Sequence, residues 1–151
     1  MKGTLMQVEP YLSFEGRCEE ALEFYKKTIG AEVTALMRFK DNPDSGKAGE
    51  GCGPGATMPP GIDNKVMHSS FRVGKSTIMA TDGSCNGKAT FAGISLTLAV
   101  DTPAEAEKYF TALSNEGSVT MPLGKTFFSP AFGMVADKFG VHWMVIATPA
   151  A

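Results

Sequence analysis

Two stretches of this chain read as copies of one strand–helix–strand unit, and such an internal repeat constrains the fold more than any single motif. The first copy is PYLSFEGRCEEALEFYKKTIGAEVTALMRF, residues 10–39. An extended start leads into Cys18, Ala21, Leu22, Tyr25 and Ile29, whose i, i+3, i+4, i+7, i+11 spacing predicts an amphipathic helix. Gly30 ends that helix, and residues 32–39 read as a strand. The second copy is GISLTLAVDTPAEAEKYFTALSNEGSVTMPL, residues 93–123. Ile94, Leu96, Leu98 and Val100 alternate with Ser95, Thr97 and Ala99, the pattern of a half-buried strand. Thr102 then supplies an N-cap, Pro103 the first helical position and Glu105 a capping-box carboxylate. Ala106, Tyr109, Phe110 and Leu113 form the apolar stripe, and residues 115–117 end the helix.

The helices superpose with one offset, residues 20–25 on residues 105–110, and a hairpin follows each unit. In the first, residues 65–73 pair with 76–81. In the second, residues 131–136 pair with 141–147 around a turn at 137–140. The order is therefore β-α-β-β-β twice, an α+β fold in one domain over residues 1–151. Module 1 spans 6–83 and module 2 spans 92–148. Between them, residues 41–63 (DNPDSGKAGEGCGPGATMPPGID) are dense in Gly and Pro and lack periodicity. They are expected to form a mobile loop, with a flap over a site as the alternative.

Gly74-Lys75-Ser76-Thr77 matches the end of a phosphate-binding loop. The full pattern needs a glycine where this chain has Ser69, and a helix where residues 76–81 read as a strand. A tight hairpin turn is the better reading. At 43% hydrophobic and 20% charged, the 151-residue chain suits a globular domain. Its net charge of −2 and lack of a basic block argue against nucleic acid or an anionic membrane as partner. Three cysteines without a CxxC argue against a disulfide framework or a zinc site, and suit a cytoplasmic protein. The N-terminal segment has no apolar run with a cleavage site.

The doubled unit with EEALEFYKKTIGAE resembles the vicinal oxygen chelate superfamily, which includes glyoxalase I, extradiol dioxygenases and bleomycin-resistance proteins. PYLSFEGRCEEALEFYKKTIGAE, VMHSSFRVGKSTIMATDG and FGMVADKFGVHWMV are similar to its PhnB-like branch. The resemblance implies a curved mixed sheet around a cleft, with helices outside, and a homodimer. In metal-using members each unit gives one ligand on its first strand and one on its last. Carried over from the helix motif, those positions fall on Pro10, Met79, Ser95 and Met144. Proline, thioether and hydroxyl are poor ligands for a hard or borderline divalent ion, so neither a metal nor another cofactor is expected.

Strand alternation gives the two faces of each hairpin. With Gly74-Lys75 as a two-residue turn, Ser70 pairs with Met79 and Phe71 with Ile78. His68, Ser70, Arg72, Thr77, Met79 and Thr81 then share one face, and Met67, Phe71, Val73, Ile78 and Ala80 the other. In the second unit His142, Met144 and Ile146 join Ser95, Thr97 and Ala99, while Trp143 and Val145 become core. The expected ligand-binding set is Pro10, His68, Ser70, Arg72, Met79, Ser95, His142 and Met144, facing an unidentified small molecule. His68 is the candidate acid or base, and Arg72 would hold an anionic group. The plainer readings are a partly exposed strand residue for each histidine, a solvated side chain for Arg72, and a structural thiol for Cys18. The function expected is metal-free small-molecule binding, with a metal-independent lyase- or isomerase-like enzyme using His68 as the alternative.

Overall fold

The computed structural model describes residues 6–42, 61–83 and 88–149. The 41–63 loop lies outside the described residues except at its ends. The apolar stripe forms α1 (Cys18–Ile29), whose Cys18, Ala21, Leu22, Tyr25 and Ile29 are all buried. Gly30 ends it in the left-handed conformation, with φ of 68°. The strands of this unit are β1 (Tyr11–Ser13), β2 (Glu32–Arg38), β3 (Val66–Val73) and β4 (Ser76–Thr81). Phe39, expected to end β2, instead enters a 3₁₀ turn at Phe39–Asp41 and buries its ring. The sheet order is β1-β4-β3-β2, with β1 parallel to β4 and the other pairs antiparallel.

The second unit repeats the order with β5 (Leu96–Val100), α2 (Pro103–Ser114), β6 (Ser118–Gly124), β7 (Phe132–Ala136) and β8 (His142–Ala147). Its sheet order is β5-β8-β7-β6, with β5 parallel to β8. The chain is thus α+β, built from tandem βαβββ modules, one ending at Lys88 and the next starting at Ala89. Ile94 precedes β5 and is exposed. Thr102 caps α2 by accepting from the Glu105 amide at 3.2 Å. Its hydroxyl also donates to the Glu105 carboxylate at 3.2 Å, a contact between side chains in place of the backbone bond of the expected capping box. Gly133 allows close packing in β7, because a Cβ there would lie 2.7 Å from the Phe110 ring and 2.9 Å from the Leu123 backbone.

Each helix covers one face of its sheet. In module 1, Tyr25 stacks on Phe71 at 5.7 Å between ring centroids and meets Phe14 at 6.3 Å. Burying each such ring contributes about 2 kcal/mol. Arg38 grips Glu19 through two hydrogen bonds of 2.6 and 3.1 Å, joining the end of β2 to α1. That contact holds the Glu19 carboxyl below its ordinary range.

The start of α1 has no cap from its own N-cap residue, Arg17. Asp82 supplies one from across the fold: one oxygen accepts from the amides of Gly16 and Cys18, and the other from the Val66 amide, each at 2.8 Å. Asp82 is only 3% exposed, so removing its carboxylate strands these donors. Asp82→Ala should destabilise the protein by about 3 kcal/mol or more, read as a lower urea midpoint at unchanged slope. A loss under about 1 kcal/mol would show that water replaces the carboxylate.

Candidate functional site

In β3 and β4 the side chains alternate as their pleat requires. Ser69, Phe71, Ile78 and Ala80 are buried on the helix side. His68, Ser70, Thr77 and Met79 are half-buried on the other side, and Arg72 is exposed there. The observed pairs Val73–Ser76, Phe71–Ile78 and Ser70–Met79 make Gly74-Lys75 the connecting turn. A strand follows Ser76, so this is not a phosphate-binding loop. Thr81, expected on the open face, is buried at the strand end, and its hydroxyl donates to the Met67 carbonyl at 2.7 Å.

The parallel partner adds a residue to this face. Tyr11 lies beside Met79 in the register of β1 and β4, while Leu12 lies beside Ala80 on the helix side. The Tyr11 hydroxyl is 3.1 Å from Nδ1 of His68, and the two rings lie 5.6 Å apart. Pro10 precedes β1, and its carbonyl accepts from the Met79 amide at 2.9 Å. Ser70 receives a hydrogen bond on its carbonyl from the Thr34 hydroxyl (3.2 Å), and the two hydroxyls lie 3.3 Å apart. Arg72 pairs with Glu32 at 2.8 Å, with both side chains at least half exposed. The guanidinium charge on this face is therefore balanced by a neighbouring strand.

In module 2, Trp143, Val145 and Ala147 are buried, while His142, Met144 and Ile146 are half-buried on the opposite face. Met134 lies beside Met144, and Thr97 lies beside it on the other flank. Ser95 precedes β5 and is exposed. Asp137, in the turn before β8, accepts from the Phe139 and Val141 amides and from the Trp143 indole. Nearby, Phe127 and Phe128 meet edge to face at 5.1 Å, and Phe128 meets Phe132 at 5.0 Å.

Sequence reasoning overlooked Tyr11. Counting back from the superposed helices reaches Pro10 and Ser95, but residues 14–17 separate β1 from α1 whereas two residues separate β5 from α2. The helix offset therefore does not carry over to the strands, and a slip of one residue moves a side chain to the opposite face. The alternation of Leu12 and Phe14, both buried, with Tyr11 and Ser13 is the signal that places Tyr11 on the open face.

The donor set does not suit the divalent ion that metal-using members of the superfamily hold. Pro10 offers no side-chain donor, Met79 and Met144 offer thioethers, and Tyr11 and Thr97 beside them offer neutral hydroxyls. Among the described residues, no three His, Cys, Asp or Glu side chains form a group that could hold a metal. No helix among them is long and apolar enough to cross a membrane.

The paired βαβββ units define the glyoxalase-like class of vicinal oxygen chelate folds. A glyoxalase/bleomycin resistance protein from Albidiferax ferrireducens shares that fold, at 17% identity over 94% of this chain and 98% of that one (TM-score 0.56). Within the class, the chain belongs to the PhnB-like family: the family model described as 3-demethylubiquinone-9 3-methyltransferase matches residues 6–146. Protein YjdN of Escherichia coli (strain K12) is 36% identical over 93% of this chain and 94% of its own length. The crystal structure of protein PA1353 from Pseudomonas aeruginosa is 37% identical, covering 95% and 98% of the two chains, with a TM-score of 0.78. A Bacillus cereus PhnB protein, titled a putative 3-demethylubiquinone-9 3-methyltransferase, is 27% identical, covering 95% and 100% (TM-score 0.72).

Cys18 belongs to the core rather than to this face. Its thiol is buried 3.7 Å from the Ser69 hydroxyl, and burial pushes its pKa up to about 12. The folded state thus holds the proton more tightly than the unfolded chain, so this contribution to stability is lost as pH rises from about 9 towards 12. The Cys18→Ala variant should gain stability relative to the native protein over that window, measured by urea unfolding at several pH values. Iodoacetamide at pH 8 should leave the Cys18 peptide unlabelled until the protein unfolds.

Proposed function

We propose that this chain is a small-molecule-binding protein of the PhnB-like type, with a metal-free binding surface on the open sheet face of each module. The observation that carries this reading is the character of those faces. Thioethers sit among a few polar points: Met79 with His68 and Ser70 in one module, Met134 and Met144 with His142 in the other. Methionine is deformable and polarisable, so it suits irregular apolar ligands, while isolated polar groups orient them. Pro10 and Arg72 join the proposed contacts on the first of these faces, and Ser95 those on the second. The family resemblance supports homodimeric assembly, and three cysteines without a CxxC support a cytoplasmic location.

Methyl transfer, named in the family description, has no support from the chain's own residues. Among the described residues, neither strand-to-helix connection carries the glycine-rich turn that would cradle the nucleotide part of a methyl donor.

The protein purified under native conditions should retain, or take up from an apolar compound library, a small molecule that raises its melting temperature in a saturable way. At ligand one hundred times its Kd, the stabilisation should be about 2.7 kcal/mol. Substituting Met79→Ala or Met144→Ala should weaken binding. Mass spectrometry finding no retained species, with no library compound shifting the melt, would overturn the proposal. Saturable turnover that disappears in His68→Ala while binding survives would replace it with the enzymatic reading.

A further inference from the structure

The Tyr11–His68 contact spans the sheet in a way that neighbouring strand pairs do not require. Tyr11 is on β1 and His68 on β3, with β4 between them. Two strand spacings separate β1 from β3, about 10 Å, so the Tyr11 side chain must reach across β4 on the open face. It remains 48% exposed. A tyrosine placed only for packing has no need to set its hydroxyl 3.1 Å from an imidazole nitrogen. Met79 lies beside Tyr11 and Ser70, and Met37 lies beside His68 on its other flank.

We infer that Tyr11 and His68 act as one hydrogen-bonding unit that presents Nε2–H of His68 to the carbonyl oxygen of an uncharged, planar aromatic ligand. This rests on the binding function proposed above. The inferred unit has the phenol as donor, so that Nδ1 accepts and the imidazole proton is left on Nε2. The imidazole makes no other hydrogen bond among the described residues. The Tyr11 ring, with the thioethers of Met79 beside it and Met37 beside His68, favours a flat apolar body. Arg72, the cation on these strands, is already paired with Glu32, so an anionic ligand finds its charge uncompensated there. Tyr11 is thus a positioning residue, and His68 the contact.

Three naphthalenes of similar size test this by calorimetry: 2-acetylnaphthalene with a neutral acceptor, 2-ethylnaphthalene with none, and 2-naphthoate with a charge. The native protein should bind the acetyl compound about fivefold or more tightly than either of the others. Tyr11→Phe should bring the ratio of acetyl to ethyl affinity most of the way towards one, and His68→Ala should remove the preference entirely. Independently of any ligand, nitrogen NMR of the unbound protein at pH 8.5 should show His68 with an unprotonated Nδ1 whose resonance moves in Tyr11→Phe. An unmoved resonance, or a preference that survives in Tyr11→Phe, overturns the unit. Binding of a natively retained compound with none of the three naphthalenes overturns the ligand class and leaves the binding function standing. Failure of every compound overturns both.

Discussion

The carboxylate of Asp82 fixes the geometry on which module 1 depends. It lies just after β4 and accepts from the amides that precede and begin α1 and from the first amide of β3. One buried side chain thereby sets where the helix starts, how it sits on the β3–β4 hairpin, and which sheet face it covers. One of these donors, the Cys18 amide, is an orphan of the helix N-terminus, which Arg17 leaves without a side-chain cap. Cys18 follows from the same contact. Held at the first turn and facing Ser69, its thiol is sealed in the core and kept protonated.

In each module the helix covers one face of a four-stranded sheet and leaves the other uncovered by it. The two modules share a topology, yet they dress their open faces differently. Module 1 gathers a polar arrangement of Tyr11 with His68, Ser70 with Thr34, and Arg72 with Glu32. Module 2 presents Met134, Met144 and Ile146, with His142 at the strand start. Two of its buried polar side chains serve the fold. Asp137 binds the Trp143 indole, and the Ser129 hydroxyl bonds to the Ala147 carbonyl. Two copies of one fold thus carry different side chains on the sheet face that the helix leaves uncovered.

Local patterns carried most of the fold. The stripe from Cys18 to Ile29, the Thr102–Pro103 helix start and the Gly74-Lys75 turn each rest on residues within one or two turns of chain, so they are readable without tertiary information. The PhnB-like resemblance was legible for the same reason, since its motifs lie on those elements. The candidate site was legible only along β3, β4 and β8, where alternation assigns His68, Ser70, Met79 and Met144 to faces. Arg72 was read from the same pattern as a possible anion holder, but its partner Glu32 lies on another strand beyond the long loop.

The sequence by itself determined that this chain is a doubled βαβββ protein, because hydrophobic periodicity and cap chemistry are local and repeat. Only the tertiary structure decided that Tyr11, not its neighbour, shares a face with Met79 and reaches His68. Parallel pairing of β1 with β4 joins segments more than 60 residues apart, and no turn fixes their register. Burial of Leu12 and Phe14 under α1 sets it instead, and that choice aims every other side chain of the strand outward.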